Sequence, residues 1–375
     1  MAGAALAGPA AAVARPPRPA PSLQRQVDAV YRTGALAVVA RSTAPGSVRY
    51  ASAGVADPVT GRPARPHDAF RTGSTTKAFV ATVMLQLVAE RRVSLDDTVE
   101  HWLPGVVSGH GNDGGRITVR RLLQHTSGLY NCTKDLPLLG SAEGFRRDRF
   151  RRWAPEQLVA LATAHAPDFA PGARWSYSNT NYTLAGMIIE KATGHTWQQE
   201  VTRRIIRPLG LRHTYAPAHE PVLRAPALRG YSTFESGPLT DVTEFDPSGA
   251  GAAGALVTDA DDLTAFFSAL LRGRLLPARQ LAEMKSTVRA EELDSAWPGA
   301  RYGLGLMYVP LSCGGGYWGH GGDLPGYSTR NGTSEDGRRV VVVETTGDGT
   351  EEDLVTERAR NTLLEQQLCA TATRG

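Results

Sequence analysis

Apolar and polar positions divide the chain into three stretches. In the first, Gln24 to Tyr31 reads as a short helix. Ala35 to Ala40 and Val48 to Val55 alternate or run apolar with β-branched residues, which predicts two antiparallel strands. Ser74 to Glu90 carries Phe79, Val80, Val83, Met84, Leu87 and Val88 at helical spacing and predicts a strongly apolar helix. The middle, from about 95 to 250, is rich in helical patterns broken by Pro and Gly, among them Val119 to Gln124, Pro155 to Ala164 and Thr183 to Ala192. Leu263 to Leu271 predicts another helix, with Thr258 and Asp261 spaced as a capping box. Beyond residue 300 strand patterns return at Tyr302 to Val309, Gly316 to His320, Tyr327 to Gly332 and Val340 to Thr346, and Glu351 to Leu368 predicts a closing helix.

Strands at both ends with helices between them imply an α+β fold: one antiparallel sheet built from both chain ends and flanked by helices, with a mainly helical lobe inserted. On this reading residues 22–95 and 251–370 form the sheet lobe and 96–250 the helical lobe, with a cleft between them as the natural site. A length of 375 residues fits two or three domain-sized units, or one domain with a large insertion. It is enough to bury a core without disulfides or metal. The net charge of +4 and pI near 9.0 are mildly basic. No stripe of basic residues is interleaved with aromatics, so nucleic acid is not an expected partner. The dense cluster Arg146, Arg147, Arg149, Arg151 and Arg152 reads as a solvated patch, with an anionic ligand or surface as the alternative. Nothing approaches 18 consecutive apolar residues, which excludes a spanning helix. Residues 1–21 begin with an Ala-rich run ending in small-x-small sites and continue Pro-rich, resembling a secretory signal without its basic start.

Of the 41 basic residues only four are lysine, Lys77, Lys134, Lys191 and Lys285, so a lysine at a chemically demanding place carries weight. Ser74-Thr75-Thr76-Lys77 is S-x-x-K, Tyr177-Ser178-Asn179 is Y-x-N and His320-Gly321-Gly322 is H-x-G. Each pattern is short enough to arise by chance, but each occurs once, and in this order. Ser74 is expected as the first residue of the apolar helix, where amide N–H groups and the helix dipole favour a developing oxyanion. Lys77 then lies on the same helical face, in an apolar wall that lowers its pKa enough to accept a proton. Tyr177 can hold or relay that proton. Asn179 can bind a substrate amide or fix Lys77. Gly321 and Gly322 permit close backbone approach by a ligand, the N–H near Asp323 is a second oxyanion donor, and His320 faces the cleft. Gly249 to Gly254 fits G-x-G-x-x-G but follows Pro247-Ser248 and no strand, so it reads as a flexible turn. His125 and His213 read as structural. Cys132 falls in a loop, whereas a bridge between Cys313 and Cys369 would staple the C-terminus and agree with export.

At these residues the chain resembles the penicillin-recognising serine enzymes, especially D-alanyl-D-alanine carboxypeptidases and class C β-lactamases. The likeness covers about 24 to 369. It includes Phe70 to Gly73, Ile117 to Leu129, Pro171 to Tyr182, Tyr302 to Leu306 and Gly319 to Tyr327. The resemblance implies that Ser74 is the acylated nucleophile, that Lys77 and Tyr177 share the general-base work, and that Asn179 and His320 line the cleft. No metal or organic cofactor is implied. Cys313 and Cys369 look like the disulfide of secreted actinobacterial carboxypeptidases of this type. One departure concerns the substrate. A carboxypeptidase must bind a free carboxylate, yet Met307 stands where such enzymes place arginine, Gly321 replaces threonine, and Asp323 follows. No Lys or Arg occurs between Arg301 and Arg330, which leaves Arg330 as the cation within reach. The first expectation is a secreted, monomeric serine hydrolase or acyltransferase acting on D-alanyl peptides of the cell wall. A neutral amide, ester or thioester substrate is the alternative, as in D-amino-acid amidases or peptide-cyclising thioesterases, and it includes a cytoplasmic biosynthetic role. A β-lactamase and a non-catalytic penicillin-binding module complete the range.

Overall fold

The protein is described by a computed structural model covering residues 22–234, 237–349 and 354–370. The signal-like segment 1–21 and the expected first turn of the closing helix at 351–353 lie outside the described residues. The main sheet has ten strands: β1 (Ala37–Ala44), β2 (Ser47–Asp57), β3 (Arg62–Pro63), β4 (Val288–Arg289), β5 (Arg301–Tyr302), β6 (Met307–Pro310), β7 (Gly316–Gly319), β8 (Gly322–Leu324), β9 (Tyr327–Ser334) and β10 (Val340–Thr346). Their order is β4-β5-β6-β7-β9-β10-β1-β2-β3, with β8 paired to β9. The two chain ends meet at its centre, where β1 runs antiparallel to β10 with Ala37 opposite Thr346.

The run Val340-Val341-Val342-Val343 is apolar on both faces because helices cover both. Its pleat sends alternate side chains in opposite directions. Val341 and Val343 pack with α1 (Leu23–Tyr31) and α5 (Val355–Leu368), through Val27, Val30, Leu363 and Leu364. Val340 and Val342 join the core of α2 (Thr76–Ala89) and α4 (Ala260–Leu271). There Phe79 and Phe266 stack with ring centroids 3.6 Å apart. Because α3 (Thr180–Thr193) packs into that same core, α2 is enclosed on every side, and its sequence is apolar all round rather than striped.

Several local expectations need correction. Ser74 does not open the α-helix; it sits in a 3-10 turn, Gly73–Thr75, that leads into α2. The N-cap of α4 is Asp259, whose Oδ1 accepts from the Asp262 N–H at 2.8 Å, so the Thr258 and Asp261 pairing does not form. Tyr302 to Val309 is not one strand. It breaks between β5 and β6 at Gly305, which has φ +78 and lies so close to Ala81 and the Lys77 carbonyl that a side chain would collide. Gly249 to Gly254 is not a flexible turn but two short helical turns, Pro247–Gly249 and Gly251–Gly254. Cys313 and Cys369 are bonded, with Cα atoms 5.9 Å apart, and tie the loop before β7 to the end of α5. Cys132 is free and buried in a 3-10 turn, Cys132–Asp135.

The close approach allowed by Gly322 is to the chain itself. A Cβ there would lie 2.0 Å from the Thr72 carbonyl oxygen and 2.6 Å from the Ser74 nitrogen, so only glycine lets β8 pass this close to the Ser74 turn. Gly322→Ala is therefore expected to lower unfolding stability by about 1–3 kcal/mol, the usual cost of overpacking. Gly140→Ala, at an open position, should stay within about 0.5 kcal/mol. Urea unfolding of the two variants measures the contrast, and equal stability would contradict the packing argument.

Candidate active site

The 3-10 turn presents Ser74, partly exposed, at the end of the buried helix α2. Lys77, one helical turn on, reaches back so that its Nζ lies 2.9 Å from Ser74 Oγ. Two other segments supply its remaining contacts, Asn179 Oδ1 at 2.7 Å and the Ala253 carbonyl oxygen at 2.8 Å. The Lys77 side chain is wholly buried, and loss of hydration pushes its ammonium well below the ordinary lysine range. A neutral amine has two N–H groups and one lone pair. With Asn179 and Ala253 accepting the two hydrogens, the lone pair falls towards the Ser74 hydroxyl.

Tyr177 comes from the loop before α3. Its phenol is close enough to Ser74 to feel the hydroxyl, and its ring centroid lies 4.8 Å from Lys77 Nζ. Burial raises the phenol pKa well above its usual value, the neighbouring Ser74 hydroxyl offsets part of the rise, and Asp323 adds to it. Tyr177 therefore carries its proton at neutral pH. Behind it, His125 packs ring to ring at 4.3 Å, and its Nδ1 accepts from the Ser178 N–H at 3.3 Å and Asn181 Nδ2 at 3.0 Å. Burial holds His125 neutral, and its structural reading fits these contacts. Asn179 sits at the N-cap position of α3 and is fixed on both sides. Its N–H donates to Asn131 Oδ1 and its Nδ2 to Thr133 Oγ1, both at 3.0 Å. Of the two roles open to Asn179, holding Lys77 is the one its geometry serves.

His320 departs from expectation. Its imidazole does not face the cleft: Nε2 lies 2.7 Å from the Tyr302 hydroxyl and Nδ1 2.6 Å from the Gly321 carbonyl oxygen. Burial, with Lys77 nearby, lowers its pKa to about 3, so it is neutral. The physical reason is that both ring nitrogens are already engaged, by the buried Tyr302 hydroxyl from β5 and by the Gly321 carbonyl oxygen. His320 instead contributes its backbone, accepting from Thr75 Oγ1 at 2.7 Å and so tying β7 to the Ser74 turn. Gly321 lies against the Arg330 side chain, and Gly322 against the Ser74 turn. Neither is free to meet a ligand.

A cavity of about 930 Å³ opens over Ser74, with Asn179, Ala253 and Asp323 in its lining. Its apolar wall includes Leu136, Leu138, Phe145, Phe234, Phe245 and Leu324. Asp246 and Asp348 also line it, and among the described lining residues none is lysine or arginine. Arg330 does not reach in. Its Nε and Nη2 hold Glu357 at 2.8 and 2.6 Å, and Nη1 is shared between the Thr329 carbonyl oxygen at 2.8 Å and Asp323 Oδ1 at 3.0 Å. The expectations missed Thr133 and the Ala253 carbonyl. A backbone acceptor leaves no mark on sequence, and the small residues from Ala250 to Gly254 that let this segment approach Lys77 resembled a loop.

A family model described as Beta-lactamase matches residues 23–366. Among solved structures, a D-stereospecific amidohydrolase from Streptomyces sp. aligns with a TM-score of 0.84 at 42% identity, covering 93% of this chain and 98% of that one. A D-amino acid amidase from Ochrobactrum anthropi SV3, complexed with L-phenylalanine amide, aligns with a TM-score of 0.80 at 28% identity over 93% of this chain and 97% of its own. Esterase EstB of Burkholderia gladioli is 36% identical over 218 residues, 54% of each protein. Penicillin-binding protein 4 of Amycolatopsis lactamdurans is 28% identical over 225 residues, 59% of this chain and 55% of its own. The chain thus spans about half the length of these two curated relatives. On the extent of the family match, carried by an antiparallel sheet with flanking helices and a serine–lysine–tyrosine site, the chain belongs to the beta-lactamase family, whose members here include serine hydrolases.

Proposed function

We propose that the chain is a serine amidase or esterase that works through an acyl-enzyme on Ser74. The observation that carries the chemistry is Lys77, buried without exposed surface and held by two carbonyl oxygens against the Ser74 hydroxyl. Lys77 takes the Ser74 proton, aided by Tyr177, as Oγ bonds to the substrate carbonyl carbon. The N–H groups of Ser74 and Asp323 stabilise the carbonyl oxygen as it gains charge. Collapse breaks the carbon–nitrogen or carbon–oxygen bond, and the proton passes through Tyr177 to the leaving amine or alkoxide. Water then repeats the sequence: its oxygen bonds to the acyl carbon, its proton enters the Lys77–Tyr177 pair, and Ser74 recovers a proton as it leaves.

Two observations favour an amide or ester over the free C-terminal carboxylate of a D-alanyl-D-alanine peptide. No basic side chain lines the cavity among the described residues, and Arg330 is committed to Glu357 and Asp323. A carboxylate taken into such a site would lose its hydration without a counter-ion. The amidohydrolase, amidase and esterase relatives support the same choice. The penicillin-binding relative keeps the carboxypeptidase as the second reading. The signal-like start and the Cys313–Cys369 bond support export, which N-terminal sequencing of the mature protein tests.

A fluorophosphonate is expected to add its mass at Ser74 and to leave Ser74→Ala unmodified; native protein that stays unlabelled beside a reactive control would defeat the mechanism. Because Lys77 acts as its neutral form, kcat/KM should rise with pH along a limb centred well below pH 10.5. Tyr177, raised above its usual value, should impose no decline below about pH 10. Lys77→Arg, which cannot lose its proton, should lower kcat by at least about 100-fold. Finally, a D-alanyl-D-alanine peptide amide should outperform the free acid by tenfold or more in kcat/KM. A reversed preference would move the assignment to the carboxypeptidase.

A further inference from the structure

We propose that the Asp323 carboxylate anchors a cationic amine on the substrate, so that the substrates are amides or esters of amino acids with a free α-ammonium and an apolar side chain. The inference rests on the amidase or esterase reading. Asp323 lies in β8 directly after Gly322, the residue pressed against the Ser74 turn. Its side chain is 63% exposed and lines the cavity together with Ser74. Oδ1 is committed, to Arg330 Nη1 at 3.0 Å and to the Ser328 hydroxyl. Oδ2 has no hydrogen-bond partner among the described residues.

In an α-amino acid derivative the ammonium nitrogen is two bonds, about 2.5 Å, from the carbonyl carbon. An ammonium held this close to the reacting carbonyl lies in the same cavity that Ser74 and Asp323 line together, within the reach of a carboxylate on its wall. The other two carboxylates of the wall have partners of their own away from the Ser74 turn. Asp246 is buried, caps the Ser248 N–H at 2.9 Å and faces Arg152 and His219. Asp348 Oδ2 accepts from Ser232, from the Thr233 N–H and from the Thr233 hydroxyl.

Arg330 has a positioning part in this arrangement. Loss of water raises the Asp323 carboxyl, but Arg330 and Arg360, with the Ser328 hydrogen bond, more than offset that and hold it below the usual carboxylate range. Glu357 in turn binds both arginines, with Arg330 Nη2 at 2.6 Å and Arg360 Nη2 at 2.8 Å. Two arginines thus face two carboxylates, Glu357 behind the strand and Asp323 through Oδ1, and what Asp323 still offers the cleft is its unpartnered Oδ2. The apolar wall of Leu138, Phe145, Phe234 and Phe245 offers the complementary surface for the side chain of such a substrate.

The test compares D-phenylalanine amide with N-acetyl-D-phenylalanine amide and 3-phenylpropionamide. The native protein should favour the free amine by at least tenfold in kcat/KM, mainly through KM. Asp323→Asn should bring the three towards parity, and Asp323→Glu should restore part of the preference. An N-acetyl preference in the native protein, or an undiminished preference in Asp323→Asn, overturns the anchor. Calorimetric binding of D-phenylalaninol and of 3-phenylpropan-1-ol to the native protein reads the anchor without turnover or a variant. Tenfold tighter binding of the amine supports it, and equal affinity overturns it. If the amine binds more tightly while no amide or ester is turned over, the anchor stands and the amidase or esterase reading fails.

Discussion

A lysine side chain withdrawn completely from water is the constraint around which this molecule is organised. An ammonium in that position is penalised by desolvation, and among the described residues no carboxylate lies within hydrogen-bonding distance of Nζ to compensate. It supplies two carbonyl oxygens and a hydroxyl instead, a set that suits an amine better than an ammonium. Each comes from a different part of the chain: Ser74 from the turn before α2, Asn179 from the start of α3, Ala253 from the short helix near residue 251. The segments are held by the shared apolar core of α2 and α3, so the energy that places Lys77 is spent far from its nitrogen. The apolar character of α2 and the reactivity of its first turn have one cause.

The second wall of the site is held by backbone contact. β8 crosses the Ser74 turn at a distance that excludes a Cβ, and the Thr75 hydroxyl bonds to the His320 carbonyl oxygen at 2.7 Å just before it. Gly73 meets the same strand from the other side: with φ +54, a Cβ on it would lie 2.6 Å from the Asp323 nitrogen. Such contacts fix the Ser74 and Asp323 N–H groups without any side chain moving. Behind β8 the charged set of Arg330, Arg360 and Glu357 is itself buried, and its hydrogen bonds tie β9 to α5. Glu344, fully buried in β10, is pushed well above the carboxylate range and donates no counter-charge there.

Much of this was readable in the residues. Ser74, Lys77, Tyr177 and Asn179 could be singled out because proton transfer at a hydroxyl needs particular functional groups at fixed spacing, and the structure brings the four together. The two-ended sheet was readable because alternation and β-branching mark strands locally. His320 was misread for the complementary reason: which way an imidazole turns depends on Tyr302, 18 residues earlier in the chain. Ala253 was invisible because its contribution is a carbonyl oxygen common to every residue. β8 was missed because three residues, one of them glycine, carry too little pattern to show a strand.

The titratable groups nearest Ser74 also bear on one another. Asp323 acts on Tyr177 in the sense that keeps the phenol protonated, while burial pushes the Lys77 ammonium towards losing its proton. A substrate ammonium seated against Asp323 would neutralise that carboxylate and bring a positive charge towards Lys77. Like charges in a site poor in water repel strongly, so binding of such a substrate would further disfavour the lysine ammonium. The cost of seating a cation beside a lysine is then smallest when that lysine is already neutral, which is the state the proposed acylation step requires. Burial of Lys77 and a carboxylate at Asp323 are in this sense a matched pair: the first makes room for the second to attract a cation without repelling it from the nucleophile.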